Sequence, residues 1–408
     1  MALPIPSGPD DVTDEWLEKL LRRYHGDEYR LSSVTPTSIV ANQVSYCSEM
    51  RVLDCTGRLA SRSLTDHLLV KLLPKEANIR ALVTQLKLVQ CETNVYKDLL
   101  PQLCHFERSR GRSAVASMIV RCLCVEIDDS GHPDGLRYVI VLENLQPAGF
   151  WTPEPLNLPE DVLPEAVRQL AQLAATSNAW LRNCSLQDPP YVLTTRLPKD
   201  HPTSQLIRIG IQNVEPGLRR QNHLKLLEKL HRVEERATEL ISAGLQPREP
   251  KLRVVTHGDY RDGNLLLRRV EGKENGEENG EGHDQGSRST EGARWEVRVV
   301  DWQATMIAHP AVDLIYLLML SVPRNVMKRV EERVQDIYWE EFSASCRALG
   351  ADCPLTRREL AEDFRQAKLL GLMWCLCMVT LWGKQTLWPD HCIDVAVEVD
   401  ELGLLEGL

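Results

Sequence analysis

Short apolar runs separated by polar residues dominate the first third of the chain. Runs of this kind predict β-strands at residues 44–54, 67–73, 116–126 and 136–142. Between the second and third runs, the apolar residues at 79–100 recur with helical spacing, and Pro101 follows as a residue that ends helices. Near the N-terminus, Thr13 precedes two acidic residues and an apolar helical face, which predicts the start of an amphipathic helix.

The pattern changes after Asn144 to long segments in which apolar residues recur with helical spacing. These segments predict helices at 164–181, 218–243, 311–320, 326–349 and 357–382. Three short apolar stretches among them are typical of strands, at 252–256, 265–267 and 296–300. The change predicts a two-lobed α+β protein, with a β-rich N-terminal lobe at 1–146 and a helical C-terminal lobe at 147–408.

The length and composition fit a globular protein of two lobes. The chain has 408 residues, of which 43% are hydrophobic and 26% are charged. The segment 271–294 departs from this average, because it is rich in Glu, Gly and Asn and poor in apolar residues. Such a segment buries too little apolar surface to offset its ordering entropy, so it predicts a disordered loop inside the C-terminal lobe.

The balance of charge disfavours nucleic acid as a partner. The formal net charge is −10, and no block of Lys and Arg supplies the attraction that drives nucleic-acid binding. The most apolar run, residues 369–383, is shorter than the roughly 20 residues that span a bilayer, so it predicts a buried helix and no membrane span.

The N-terminal residues 1–11 lack the basic and apolar regions of a secretory signal. We therefore expect a reducing compartment, and the cytoplasm by default. The sequence leaves the oligomeric state open.

A loop between two predicted strands carries a carboxylate and an amide five residues apart. It reads His-Gly-Asp-Tyr-Arg-Asp-Gly-Asn at 257–264, and a second carboxylate, Asp301, follows the strand at 296–300. Phosphoryl transfer needs a carboxylate that accepts the proton of an incoming hydroxyl, and oxygen ligands that hold Mg²⁺ on the phosphates. Asp259, Asn264 and Asp301 can supply both. The alternative is an ordinary turn, because Asp and Asn are common turn residues.

The N-terminal third offers a cation for phosphate. Lys71 lies inside the otherwise apolar run 68–72, and a lysine that faces inward from a strand needs an anionic partner. Glu92, on the helix predicted to follow, can supply that partner while the ammonium group contacts nucleotide phosphates. The alternatives are a solvent-facing lysine on an edge strand and a glutamate on a solvated helix face.

The order of these residues resembles that of the choline-kinase, aminoglycoside-phosphotransferase and ecdysteroid-kinase-like group of small-molecule kinases. In that group a His-Gly-Asp-x-x-x-x-Asn loop carries the base and one metal ligand, which implies Asp259 as the base and Asn264 as a ligand of Mg²⁺. Asp301-Trp302-Gln303 is similar to the protein-kinase Asp-Phe-Gly, which implies Asp301 as the second ligand. The resemblance implies a protein-kinase-like fold with ATP in the cleft between the lobes.

The same resemblance implies the nucleotide contacts. The stretch 141–145 looks like the hinge of the group, where backbone groups near Glu143 and Leu145 would meet the adenine edge. Lys71, positioned by Glu92, would neutralise phosphate charge.

The resemblance also implies roles for residues in two other segments of the chain. The turn at 40–48 lacks the glycine that the family usually has there, and Ser45 and Ser48 are its candidate phosphate contacts. The stretch 309–314 is similar to a family segment whose aspartate, here Asp313, is more structural than catalytic.

The resemblance implies an enzyme that transfers the γ-phosphate of ATP to a hydroxyl of a small molecule. The acceptor stays open among steroid alcohols, choline-like compounds, amino sugars and xenobiotics. Trp374, Trp382 and Trp388 either wall its pocket or fill the core, and the large area that each indole buries favours the core. The rival is a pseudokinase, a nucleotide-binding or regulatory module, which the glycine-free turn supports and the complete set of site residues opposes.

Overall fold

Five antiparallel strands build the sheet of the N-terminal part of the protein. The computed structural model describes residues 3–37, 47–129, 135–183, 192–247, 252–271, 294–382 and 387–408. The strands of this sheet are β1 (Arg30–Thr37), β2 (Glu49–Leu59), β3 (Arg62–Leu72), β4 (Cys122–Asp128) and β5 (Arg137–Glu143). Their order is β1-β2-β3-β5-β4, so Lys71 lies on the central strand β3, where it pairs with Met50 and Ile140, and not on an edge.

Alternate residues of β5 face two separate apolar cores, as the two-residue period of a strand requires. Val139 and Val141 pack in the smaller core, under helix α1 (Asp14–His25), whereas Ile140 and Leu142 pack in the larger core. The predicted start of α1 is confirmed, because the Thr13 hydroxyl accepts a hydrogen bond from the Trp16 amide at 3.3 Å. The residues of α1 that cover the sheet are Trp16, Leu17, Leu20 and Leu21.

The single helix predicted at 79–100 is wrong, because the segment is divided. It comprises α2 (Ala77–Gln85), α3 (Leu88–Asn94), a π-helical turn at Val95–Leu99 and α4 (Leu100–Arg108). Lys87 separates the first two pieces with a left-handed φ of 56°, which a pattern of apolar residues does not reveal. Pro101 does not end a helix but lies in the first turn of α4, where a proline removes no intrahelical hydrogen bond. The short helix α5 (Ala114–Met118) occupies the start of the strand predicted at 116–126.

Helices make up most of the described residues that follow β5, as predicted. Within the described residues they are α6 (Leu163–Asn183), α7 (Thr203–Arg220), α8 (Leu224–Glu235), α9 (Ala237–Leu245), α10 (Ala311–Ser321), α11 (Arg324–Ala348), α12 (Arg357–Trp382) and α13 (Leu387–Glu401). The helix predicted at 218–243 is wrong in its continuity, because it is the end of α7 followed by α8 and α9. Every residue of α10 is buried, which places this helix at the centre of the larger core.

Helix α12 is long and apolar enough to cross a membrane by length and composition alone. However, 67% of its most apolar window is buried inside the protein. Packing against α7, α10 and α13 therefore explains its composition without a bilayer.

Two small sheets frame the loops that carry the predicted chemistry. Strand β6 (Val254–Thr256) pairs with β9 (Met306–Ala308), and β7 (Leu265–Val270) pairs with β8 (Arg294–Val299). The loop 257–264 joins β6 to β7, and Asp301 lies between β8 and β9. Residues 272–293, and with them most of the predicted loop 271–294, lie outside the described residues. The fold class is α+β, as predicted, whereas the division at residue 146 stays a prediction.

Candidate active site

The buried ammonium group of Lys71 joins the sheet to the helical part of the protein. Its Nζ donates hydrogen bonds to Glu92 Oε2 at 2.7 Å and to Asp301 Oδ1 at 2.6 Å. Burial alone would lower the pKa of Lys71, but the carboxylates of Asp301 and Glu92 raise it well above its ordinary value. Lys71 therefore carries a fixed positive charge inside the protein. Burial also raises the pKa of Glu92, to about 7, against the opposing effect of the Lys71 ammonium.

Asp301 lies in a tight turn that is hydrogen-bonded to helix α3. Its backbone is left-handed, with a φ of 66°, a region that Asp adopts more readily than bulky or β-branched residues. Gln303 Nε2 donates to Asp301 Oδ2 at 3.2 Å. The Cys91 thiol of α3 donates to the carbonyls of Trp302 and Thr305, so the helix that carries Glu92 also fixes this turn.

The loop 257–264 is held in place through its backbone by Asp313 of the buried helix α10. The carboxylate accepts the amide hydrogens of His257 at 2.6 Å and of Gly258 at 2.9 Å. Gly258 has a φ of 79°, and a Cβ there would lie 2.0 Å from the carbonyl oxygen of Ala304, so only glycine fits. Burial raises the pKa of Asp313 to about 7. The structural role that the family resemblance implies for Asp313 agrees with this geometry.

His257 is a neutral, buried part of the same loop. Its Nε2 lies 2.9 Å from the carbonyl oxygen of Val300, and its Nδ1 accepts the amide hydrogen of Asp259 at 3.3 Å. Since a carbonyl can only accept, the proton sits on Nε2. Burial lowers the pKa of His257, which agrees with the neutral tautomer. His257 therefore links Val300, the residue before Asp301, to Asp259, the candidate base.

The carboxylate of Asp259 is fixed from two sides. Asn264 Nδ2 donates to Asp259 Oδ2 and to its backbone carbonyl, each at 2.8 Å. Arg261 Nε donates to Asp259 Oδ1 at 3.1 Å. Because the amide nitrogen of Asn264 is used in this way, its Oδ1 is the atom left to coordinate a cation.

One cleft brings together most of the residues predicted from the sequence. Its lining includes Lys71, Glu92, Glu143, Leu145, Asp259, Asn264 and Asp301. Ser48 is buried and is not among the described residues that line the cleft, and Ser45 lies outside the described residues. One site thus contains Lys71, Asp259, Asn264 and Asp301, although up to 230 positions separate them in the chain.

Sequence reasoning missed several residues of the cleft. Arg261 and Gln303 contact Asp259 and Asp301 and line the same space. In the sequence, Arg261 could have been recognised as a site residue from its position between Asp259 and Asp262. The three tryptophans divide between the alternatives: Trp382 lines the cleft, whereas Trp388 is 1% exposed in the core and Trp374 packs against that core.

A buried Lys–Glu pair, a His-Gly-Asp loop and the carboxylate of Asp301 in one cleft are an arrangement typical of phosphotransferases of the kinase-like class. The chain matches the model of the ecdysteroid kinase-like family over residues 43–277 and 287–351, and it belongs to that family. No curated protein sequence matches the chain.

Two solved structures are similar to the chain along nearly its whole length. One is a microcompartment-associated aminopropanol kinase, with 12% identity and a TM-score of 0.41 over 95% of each chain. The other is a protein from Ralstonia eutropha assigned to the aminoglycoside phosphotransferases, with 10% identity and a TM-score of 0.40 over 96% of each chain. TM-scores this low add no weight to the family assignment.

Proposed function

We propose that the protein transfers the γ-phosphate of ATP to a hydroxyl group of a small molecule, in the presence of Mg²⁺. The observation that supports this most is the single cleft in which Lys71, Asp259, Asn264 and Asp301 meet. Charge neutralisation, proton acceptance and metal ligation are the parts that phosphoryl transfer needs, and these four side chains can provide them.

The donor set fits a magnesium ion that a nucleotide brings with it. Asn264 Oδ1 and the carboxylate of Asp301 are hard oxygen ligands in the same cleft. Among the described residues, no group of three or more His, Cys, Asp or Glu side chains could hold a metal by itself. Mg²⁺ commonly binds through one or two carboxylates together with substrate phosphates, and the ion would neutralise phosphate charge during transfer.

The roles of the side chains follow from their positions. Lys71, held by Glu92, stabilises the negative charge of the nucleotide phosphates. Asp259 accepts the proton of the acceptor hydroxyl and orients its oxygen for in-line attack. Its two hydrogen bonds, from Asn264 and Arg261, limit its rotation and so favour the reactive geometry.

The short connection after Asp301 favours a small-molecule acceptor. Only residues 302–310 separate Asp301 from helix α10, and they form a 3₁₀ turn and the strand β9. Protein kinases place a long activation segment at this point to seat a peptide. The proposal therefore takes a hydroxyl on a steroid alcohol, a choline-like compound, an amino sugar or a xenobiotic as the acceptor. It includes a cytoplasmic location, which rests on the sequence alone.

The proposal is tested by binding and turnover of the full-length protein. We expect calorimetry to detect MgATP binding, and we expect slow release of ADP with water as the acceptor. A metabolite library incubated with the protein and ATP, and read by mass spectrometry, then identifies the phosphorylated alcohol. Tight MgATP binding without any turnover would instead indicate a pseudokinase, and absence of binding would contradict both.

A further inference from the structure

A second charged side chain of the 257–264 loop enters the cleft beside the candidate base. The side chain of Arg261 is only 12% exposed, yet it lines the cleft together with Asp259. Its Nε donates to Asp259 Oδ1, and its Nη1 lies 3.6 Å from Asp262 Oδ1. A guanidinium group loses much hydration on burial, so a buried arginine requires compensating contacts.

The surroundings of Arg261 are shaped to hold its guanidinium group in one place. A Cβ on Gly263 would lie 2.4 Å from Arg261 Nη1, so the absence of a side chain at residue 263 makes room for the arginine. On another side, Arg261 Cζ lies 5.6 Å from the centre of the Trp382 ring, within the range of a cation–π contact. Asp262, which is fully buried, accepts the amide hydrogens of Leu156 and Gly263 and is fixed in turn.

We propose that Arg261 is a positioning residue for phosphoryl transfer, seated by Gly263 and Trp382, which holds the Asp259 carboxylate in its reactive orientation. The inference rests on the proposed function. In the transfer step the bond from the acceptor oxygen to the γ-phosphorus forms, and the bond from that phosphorus to the bridging oxygen of ADP breaks. The hydroxyl proton passes to Asp259. Arg261 gives up no proton, because a guanidinium group stays protonated in proteins.

The test uses turnover and nucleotide affinity of the full chain, with MgATP as the probe and water as the acceptor. Arg261→Met removes the Nε donor, and misplacement of a reacting group costs on the order of 10²-fold in rate. We expect a loss of that order in kcat with unchanged MgATP affinity, because Lys71, Asn264 and Asp301 are untouched. A residue that only supported the fold would lower the melting temperature and the MgATP affinity together.

Replacement of Gly263 tests the space that accommodates the Arg261 guanidinium group and leaves its charge in place. Gly263→Ala places a methyl group where Nη1 lies, and the flexible end of the arginine can move away from it. We expect a smaller loss in kcat, again with unchanged MgATP affinity. Gly244→Ala in α9 is the matched control, because its Cβ would make only ordinary contacts with Leu370, at 3.5 Å or more. If Gly263 acts through Arg261, the Gly263→Ala/Arg261→Met variant loses no more activity than Arg261→Met.

Each result supports or overturns the inference. Parent-like turnover of folded Arg261→Met, or equal losses in affinity and kcat, would overturn it. Should Arg261→Met fail to fold because Asp262 loses its cation, Gly263→Ala decides alone: a lower kcat at unchanged affinity supports the inference, and parent-like kcat overturns it. A parent protein without turnover would overturn the proposed function and the inference with it, whereas an active parent with unaffected variants would overturn only the inference.

Discussion

Lys71 Nζ lies 2.6 Å from Asp301 Oδ1, although 230 positions separate the two residues in the chain. The contact connects the central strand β3 to the turn between β8 and β9. In the proposed reaction Lys71 binds the phosphate oxygens and Asp301 coordinates Mg²⁺. We therefore expect the contact between Lys71 and Asp301 to be replaced by contacts with the bound nucleotide and its metal. Glu92 then remains as the fixed partner of Lys71.

Loss of Lys71 should destabilise the protein as well as abolish nucleotide binding. Glu92 is 1% exposed, and Lys71→Met leaves its carboxylate buried without a cation. Removal of one partner from a buried ion pair costs about 3–5 kcal/mol. We expect Lys71→Met to lower the free energy of unfolding in urea by that order, and Lys71→Met/Glu92→Gln to regain part of it. Equal stability of the two variants would contradict the buried pair.

Asp259 and Asp301 should differ in what their substitution removes. Asp259→Asn is expected to keep MgATP affinity and to lower kcat by about 10²–10⁴, the usual contribution of a general base. Asp301→Asn removes a charged ligand from a hard cation, so it should weaken nucleotide binding in the presence of Mg²⁺. Calorimetry and ADP release measure both effects, and an unchanged thermal transition serves as the folding control. Near-parent transfer by Asp259→Asn would refute its assignment as the base.

The stability of the protein should depend on pH through Asp313. Burial raises the pKa of this carboxyl from 3.8 to about 7 in the folded protein, so the folded state keeps a proton that the unfolded state releases. The stability of the parent relative to Asp313→Asn should therefore fall as pH rises from about 4 to about 7, and then stay constant. Urea unfolding at several pH values measures this difference. A difference that grows with pH would show that the His257 and Gly258 amides keep the carboxylate ionised.

Removal of residues 273–290 should leave the fold intact. Val270 and Arg294 are cross-strand partners in β7 and β8, so the ends of the chain on either side of this segment are already close together. The excision leaves residues 271, 272 and 291–293 as the connection, a length that suits a β-hairpin. The match to the family also omits residues 278–286. Closure entropy varies slowly with loop length, so we expect an unchanged melting temperature, and a clear fall would show that the segment packs on the protein.

The long periodic elements were predictable from the sequence, and the irregular ones were not. The helix predicted at 357–382 has the bounds of α12, because apolar residues recur with helical spacing along the whole segment. Strand β1 was missed, since most of its residues are exposed and polar and it lies at the edge of the sheet. The break at Lys87 was missed because a single left-handed residue leaves no trace in the pattern.

The site was predictable as far as its residues lie within recognisable motifs. Lys71 and Glu92 were paired from the need of an inward lysine for an anion, and their nitrogen and oxygen lie 2.7 Å apart. The contact of Lys71 with Asp301 was not foreseen, because no periodicity relates a strand to a distant turn. The place of Arg261 between two aspartates was visible in the motif, but only three-dimensional packing shows the space that Gly263 leaves for its side chain.

Helix α1 sets the limits of the piece of chain that can be produced as a stable fragment. The match to the family begins at residue 43, whereas α1 ends at His25 and covers the face of the sheet formed by Leu53, Val70 and Val141. A recombinant fragment trimmed to the family limits would also lack β1 and would expose this apolar face to water. The unit suited to expression, crystallisation and inhibitor screening therefore includes the N-terminal helix and extends beyond the region by which the family is recognised.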